Sequence, residues 1–458
     1  MNRFKRTLFG LGGAAENFFQ NAPMAMVSPI FNVGLGISPV VIGIAMALPR
    51  FWEIILDPWI GVVSDRTQSS LGRRRPYIYG GSILAGLLFA MIWWVPRGWN
   101  ATYQSAWLVG LILLFYTAYS FFAVPYAAFA IEVTTNNAER MQVMAVRTAL
   151  ASFSSILIGW LYWLCQRSCF SDPVYGMRYI GIGMGVLLGV AAFMPAWIAR
   201  ENPMHVGTGH APEMKLNWEF ARQIVGVKSF RLLLCSLFVL LVGFTLVGHL
   251  GFYLVVYYIC QGNKDFAAWI GGINATLGTI VSMLACPLVA ATANRIGKRN
   301  ALALYLGIGC AGSASYWWTM TPEHPYLFIV SGIGICFGLA AYWSIMPALL
   351  GDISDAFETK TGLACQGVFS ALYGIAVKIG VSVSLLLTGY ILIACGFDVS
   401  QTVEQMVNPL FYMRILYAVF PLLGMVLATW IIWHIKINDC GSSTSYRNEV
   451  DSERNVAN

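Results

Sequence analysis

Charged residues are scarce in this chain, and three of them share one apolar run, RFWEIILDP: Arg50, Glu53 and Asp57. Separations of three, four and seven put them on one face of a helix. A lone charge is costly to bury, so each needs a partner, water or a ligand. Two carboxylates four residues apart repel at low dielectric, and one holds a proton unless a cation lies between them. Carboxylates whose charge H⁺ or Na⁺ can neutralise are what a cation-coupled carrier requires. Pro58 removes a backbone donor and frees a nearby carbonyl as a ligand or a bend. An Arg50–Glu53 pair that serves packing alone is the other reading, and it leaves Asp57 unexplained.

A second polar patch, Glu16, Asn17, Gln20 and Asn21, interrupts the first apolar run. Amides beside a carboxylate can accept from and donate to adjacent sugar hydroxyls. Glu16 either contacts such a ligand or satisfies Lys378, the one base deep in ALYGIAVKIGVSVSL. Arg147 follows Glu139 and Arg140, and either reaches inward as a donor or snorkels at the interface. Tyr116, Tyr119, Tyr126, Tyr342 and Trp343 offer aromatic faces for packing or for the apolar side of a sugar ring. Other chemistries are poorly served. His205, His210, His249, His324 and His434 have neither HxxH nor HExxH spacing, the ten Cys contain no CxxC pair, and no GxxxxGK[ST] loop is present.

These residues need membrane helices to hold them. The chain is 58% hydrophobic and 11% charged, which excludes a soluble enzyme and a disordered protein. A helix rising ~1.5 Å per residue needs about 20 apolar residues to cross ~30 Å of hydrocarbon. Twelve segments qualify: 9–33, 39–64, 76–95, 102–131, 143–165, 176–199, 230–259, 266–293, 300–319, 326–350, 363–395 and 409–435. With the N-terminus inside, 21 Lys and Arg fall in inside segments and five in outside ones, so both termini are cytoplasmic. This distribution, in short clusters between spans, also argues against nucleic acid as the reason for the +7 charge. Cys165 and Cys169 flank an outer turn and could form a disulfide; the other Cys read as apolar filling.

The spans divide six and six about a polar stretch at 200–229, which reads as a cytoplasmic linker with a short surface helix near 217–225. Residues 1–199 and 230–438 are then two bundles that rock about a central site, and 439–458 is a disordered cytoplasmic tail. Asp65-Arg66 followed by Gly72 and Arg73-Arg74-Arg75 is echoed by Arg295-Ile296-Gly297-Lys298-Arg299. Asp65 paired with such a basic cluster could hold one closed state; topogenic charge is the other reading, and the Asp retained with Gly72 favours the gate.

RFWEIILDPWIGVVSDRTQSSLGRRRPYI resembles the glycoside-pentoside-hexuronide:cation symporters of the major facilitator superfamily, the group that includes the melibiose carrier. YWSIMPALLGDISDAFETKTG matches the family's Trp-containing stretch and Asp-Ile-x-Asp through Trp343, Asp352 and Asp355, and Lys378 falls where the melibiose carrier has a Lys. The resemblance spans all twelve segments and implies an all-α polytopic membrane protein with the major facilitator fold. It assigns Glu53 and Asp57 to the coupling cation, and Tyr119, Arg147, Trp343 and Lys378 to the sugar pocket. Glu16, Asn17 and Gln20 join that pocket on their own chemistry, and Arg50, Asp65, Arg73, Arg74, Asp352 and Asp355 are the gating candidates. The chain departs from the melibiose carrier at Glu16-Asn17, where that carrier has Lys-Asp, and at Ala123, where it has an Asp. Loss of that acid favours H⁺ over Na⁺.

The expected activity is therefore symport of a sugar or glycoside with H⁺ or Na⁺, with no cofactor, by a monomer in the inner membrane of a bacterium. A sugar acid, sulfonated sugar or other organic anion drawn by Arg147 and Lys378 is the alternative substrate. A non-transporting receptor or scaffold would keep the fold but would not require both Glu53 and Asp57.

Overall fold

Asn2, Asn100, Asn136, Asp172 and Asn263 each precede a helical run and accept hydrogen bonds from backbone N–H groups of its first turn. They satisfy donors that every helix start leaves free, which fixes where those helices begin. The computed structural model describes residues 2–134, 136–199, 218–361, 365–399, 401 and 403–435. Among them there are thirteen α-helices and no strand. The first half holds α1 (Arg3–Val27), α2 (Pro39–Arg66), α3 (Arg75–Ile92), α4 (Ala101–Glu132), α5 (Asn137–Cys165) and α6 (Pro173–Ile198). A short helix, α7 (Trp218–Gly226), leads to α8 (Lys228–Tyr253), α9 (Lys264–Ile296), α10 (Lys298–Thr319), α11 (Leu327–Thr361), α12 (Gln366–Ala394) and α13 (Val407–Trp433).

Twelve long helices match the twelve expected spans. Ten are long and apolar enough to cross a membrane on composition alone. The other two, α1 and α10, are more polar and are held by packing, α1 against α5 and α6, α10 against α11 and α13. Three limits differ from the sequence reading by six residues or more, one of them the start of α5 at Asn137 in place of 143. The helix of the first span begins at Arg3, and α11 runs on to Thr361 because DISDAFETK continues the helix beyond the apolar stretch. The surface helix expected near 217–225 is α7, whereas the rest of the linker before it and the tail 439–458 lie outside the described residues. Cys165 and Cys169 are free thiols, so the cross-link is not formed.

The pairing of helices repeats. In the first half α1 packs on α5 and α6, and α3 on α4 and α6; in the second α8 packs on α12 and α13, and α10 on α11 and α13. The lead helix of each half also ends in a wider turn, at Ser28–Asn32 and at Leu254–Ile259. Each half has its own apolar core, one built almost entirely from residues 9–199 and the other from 224–435. Close helix contact depends on glycine: a Cβ on Gly86 of α3 would lie 2.6 Å from the Gly185 carbonyl of α6. Gly86→Val should therefore cost about 1–3 kcal/mol by overpacking. A lower melting temperature of the purified protein would be the readout, and an unchanged one would contradict this account of the α3–α6 contact.

The halves meet along two seams, α2 with α12 and α5 with α9. On the face far from the termini the seams are tight: a Cβ on Gly43 would lie 2.8 Å from the Leu385 carbonyl, and one on Gly389 would lie 2.6 Å from that of Pro39. There Trp160 Nε1 donates to Thr276 Oγ1 at 3.0 Å, and Arg167 pairs with Asp265 at 2.5 Å. Toward the termini the helices part. A Cβ on Gly61, Gly367 or Gly374 would meet nothing within 4 Å. Between α5 and α9 a wedge of about 730 Å³ opens, bounded by Met141 and Ser155 on one wall and Thr279 and Cys286 on the other. The structure is thus closed on the far face and open on the face that carries the termini.

Candidate functional site

At mid-depth α2 turns the face bearing Arg50, Glu53 and Asp57 inward, as the three- and four-residue spacing requires. Arg50 and Glu53 are 4% and 3% exposed. Arg50 Nη1 donates to both Glu53 oxygens, at 3.3 and 3.2 Å. Its Nη2 donates to the Gln20 carbonyl at 3.1 Å, and its guanidinium lies 4.5 Å from the Tyr116 ring centre. Tyr116 donates to the same Gln20 carbonyl at 3.0 Å. Arg50 therefore braces α1, α2 and α4 within the first half.

Lys378 arrives from α12, in the other half. Its Nζ donates to Asp57 Oδ2 and lies 3.6 Å from Glu53 Oε2. Cation and anion alternate through Arg50, Glu53, Lys378 and Asp57, which offsets the desolvation that isolated charges would suffer. The arrangement crosses the α2–α12 seam. Asp57 Oδ1 is buried and accepts no hydrogen bond from the described residues.

Glu16 of α1 turns to α5, not to Lys378: Arg147 Nη2 meets Glu16 Oε2 at 2.5 Å. Arg147 reaches inward, with its guanidinium 5.0 Å from the centre of the Tyr126 ring. At the next residue, the Asn17 amide points at the Ala151 carbonyl and the Ser154 and Ser155 hydroxyls, each at 2.9 Å. Gln20 contributes its carbonyl to Arg50 and Tyr116 while the residue is exposed. Tyr119 is buried one turn from Tyr116, with ring centres 6.1 Å apart. Trp343 on α11 is 45% exposed and meets Tyr342 edge-on.

Among the described residues the gating candidates near the termini have partners inside their own halves. Asp65 accepts from Arg74 at 2.7 Å, and Arg73 and Arg74 both reach Glu132 at the end of α4, at 2.5 and 2.9 Å. In the second half Lys298 meets Asp352 at 2.7 Å, and Asp355 accepts from the Gln366 amide at 2.7 Å. The start of α3 is thus clamped to the end of α4 as the start of α10 is to the end of α11. Sequence reading missed Glu132 and Lys298 as partners. The signal was an acid near the helix end in two corresponding spans, after Pro125 in α4 and after Pro347 in α11.

Residues 8–439 match the family model described as MFS/sugar transport protein. The chain belongs to this family. Among members of the glycoside-pentoside-hexuronide group, a glucuronide carrier protein homolog of Escherichia coli (strain K12) is 23% identical over 95% of this chain and 93% of its own length. A putative glycoside/cation symporter of the same organism is 23% identical over 90% of this chain and 87% of its own. The crystal structure of the nucleoside transporter NupG superposes with a TM-score of 0.67 at 13% identity, covering 95% of this chain and all of that one. This likeness is of fold. The major facilitator fold and the symporter family expected from the second-helix motif are both established, and the family member described here is a multi-pass membrane transporter, not an enzyme.

Proposed function

We propose that this protein takes up a neutral sugar or glycoside together with H⁺, by alternating access across the inner membrane of a bacterium. Its rocking units are residues 1–199 and 230–438, joined by 200–229, with 439–458 as a tail. It works as a monomer with both termini in the cytoplasm, so the open face is the cytoplasmic one. The observation that carries this reading is the Lys378 ammonium set against Asp57 and Glu53 across the seam between halves. Neutralising Asp57 with a proton would release Lys378, so ion binding would act on the same contact that must change when the halves rock. The free Oδ1 of Asp57 is a ready acceptor for that proton. Na⁺ would need a shell of oxygen ligands, and Ala123 supplies none where the melibiose carrier has an acid.

The substrate assignment rests on charge balance. Arg147 is held by Glu16, and Lys378 by Asp57 and Glu53, so the site has no cation to spare for an anionic sugar. Gln20 and Trp343 offer exposed polar and aromatic surface suited to hydroxyls and ring faces, with Glu16, Asn17 and the buried Tyr119 completing the proposed pocket. The glucuronide carrier homolog favours a second reading, in which a sugar carboxylate displaces Glu16 from Arg147. Uptake into vesicles under separate pH and Na⁺ gradients, with neutral saccharides, hexuronates and sulfosugars, decides both points. Accumulation of neutral sugars driven by the pH gradient is expected. Strict Na⁺ dependence would overturn the ion, and uptake confined to acids would overturn the substrate.

A further inference from the structure

The ends of α10 and α13 nearest the termini form a groove for which the transport reading has no use. Ala303 and Gly307 keep the α10 side low, and a Cβ on Gly307 would meet nothing within 4 Å. Trp430 and Trp433 wall the α13 side, and the groove encloses about 440 Å³. Its lining spans eight residues of each helix, from Ala303 to Cys310 and from Val426 to Trp433, or roughly 10 Å at the rise of an α-helix.

Arg299 is placed one turn before Ala303, at the terminus side of this groove. Its guanidinium lies 5.0 Å from the centre of the Trp433 ring, and its Nε is buried without a hydrogen-bond partner among the described residues. Among the described residues no carboxylate lies within ion-pair distance of it, whereas the adjacent Lys298 is neutralised by Asp352. A cation fixed beside an apolar channel and a pair of indoles matches the two ends of a phospholipid. Tryptophan is enriched at headgroup depth, and a negative leaflet surface attracts basic side chains at the membrane boundary.

We propose that this groove binds an anionic phospholipid, with an acyl chain along Gly307 and the headgroup phosphate on Arg299. The site is separate from Glu53, Asp57 and Lys378, so it is testable without transport. Full-length protein stripped of lipid is titrated with dioleoyl phosphatidylglycerol or dioleoyl phosphatidylcholine. Bound lipid is counted by native mass spectrometry beside thermal unfolding. The anionic lipid should be retained about five-fold more tightly, the factor equivalent to ~1 kcal/mol per basic side chain at an anionic surface. Arg299→Gln should erase that preference, Arg299→Lys should keep it, and Gly307→Trp should weaken retention of both lipids. Equal retention of the two lipids by the native protein, or a preference that survives Arg299→Gln, overturns the proposal. So does glycerol phosphate alone reproducing the thermal shift, which would assign the charge to a soluble anion. If Arg299→Gln cannot be purified, Gly307→Trp carries the test: lost retention supports the site and unchanged retention refutes it.

Discussion

Asp57→Asn is expected to abolish concentrative uptake while leaving substrate binding and exchange in place. The carboxylate is the acceptor for Lys378 Nζ across the α2–α12 seam, and an amide there can neither take up the proposed coupling proton nor hold the ammonium by charge. If the proposed symport carries one proton per sugar, a gradient of one pH unit is worth about 1.4 kcal/mol and supports roughly tenfold accumulation. The variant should equilibrate sugar at a ratio near one under the same gradient. Vesicle uptake measured with and without an uncoupler provides the comparison. Accumulation by D57N at the native level would remove Asp57 from the coupling step.

The second large effect is expected at the Glu16–Arg147 pair. Arg147→Gln leaves the Glu16 carboxylate facing the Tyr126 and Tyr119 side of the bundle without its cation. A fully buried pair broken in this way costs about 3–5 kcal/mol, and the partial exposure of both side chains here lowers the expectation to roughly 2 kcal/mol. Glu16→Gln together with Arg147→Gln should recover most of that loss, since no charge is then stranded. Thermal unfolding reads the stability and a sugar titration reads the site. If Arg147 touches substrate, the double variant regains its melting temperature but not its affinity. Recovery of both would reduce the pair to packing, and a single variant as stable as the native protein would show that the contact carries little energy.

The parts of the site that were legible in the sequence are those where chemistry conflicts with surroundings. Arg50, Glu53 and Asp57 stand out because nothing polar is tolerated cheaply in such a run, and their spacing fixes a shared helix face. Partner choice was not legible. Glu16 could have met Lys378 or Arg147, and the decision is made by α1 packing on α5, a tertiary contact with no local signature. Gln20 illustrates a different blind spot: its amide suggested ligand binding, yet its backbone carbonyl gathers Arg50 and Tyr116. Glu132 resembles an ordinary loop-edge acid until Arg73 and Arg74 are seen to converge on it. The twelve spans were easier because length and apolarity act within each segment. Only α1 and α10, whose polar residues are absorbed by neighbours, fell short on composition.

The separation between Asp57 and Lys378 along the chain, 321 residues, bears on how the protein is made. Chains emerge from the N-terminus, and domains generally consolidate as units in that order. The brace of Arg50 on Glu53, Gln20 and Tyr116, and the clamp of Arg73 and Arg74 on Glu132, use residues from the first half alone, so that bundle can settle while the second is still being synthesised. Asp57 cannot be satisfied in the same way. It must enter the bilayer long before its lysine exists, leaving the nascent half with one carboxylate open to water or to a quality-control factor until α12 is inserted. Assembly of the two halves would therefore be marked by the disappearance of that exposed acid.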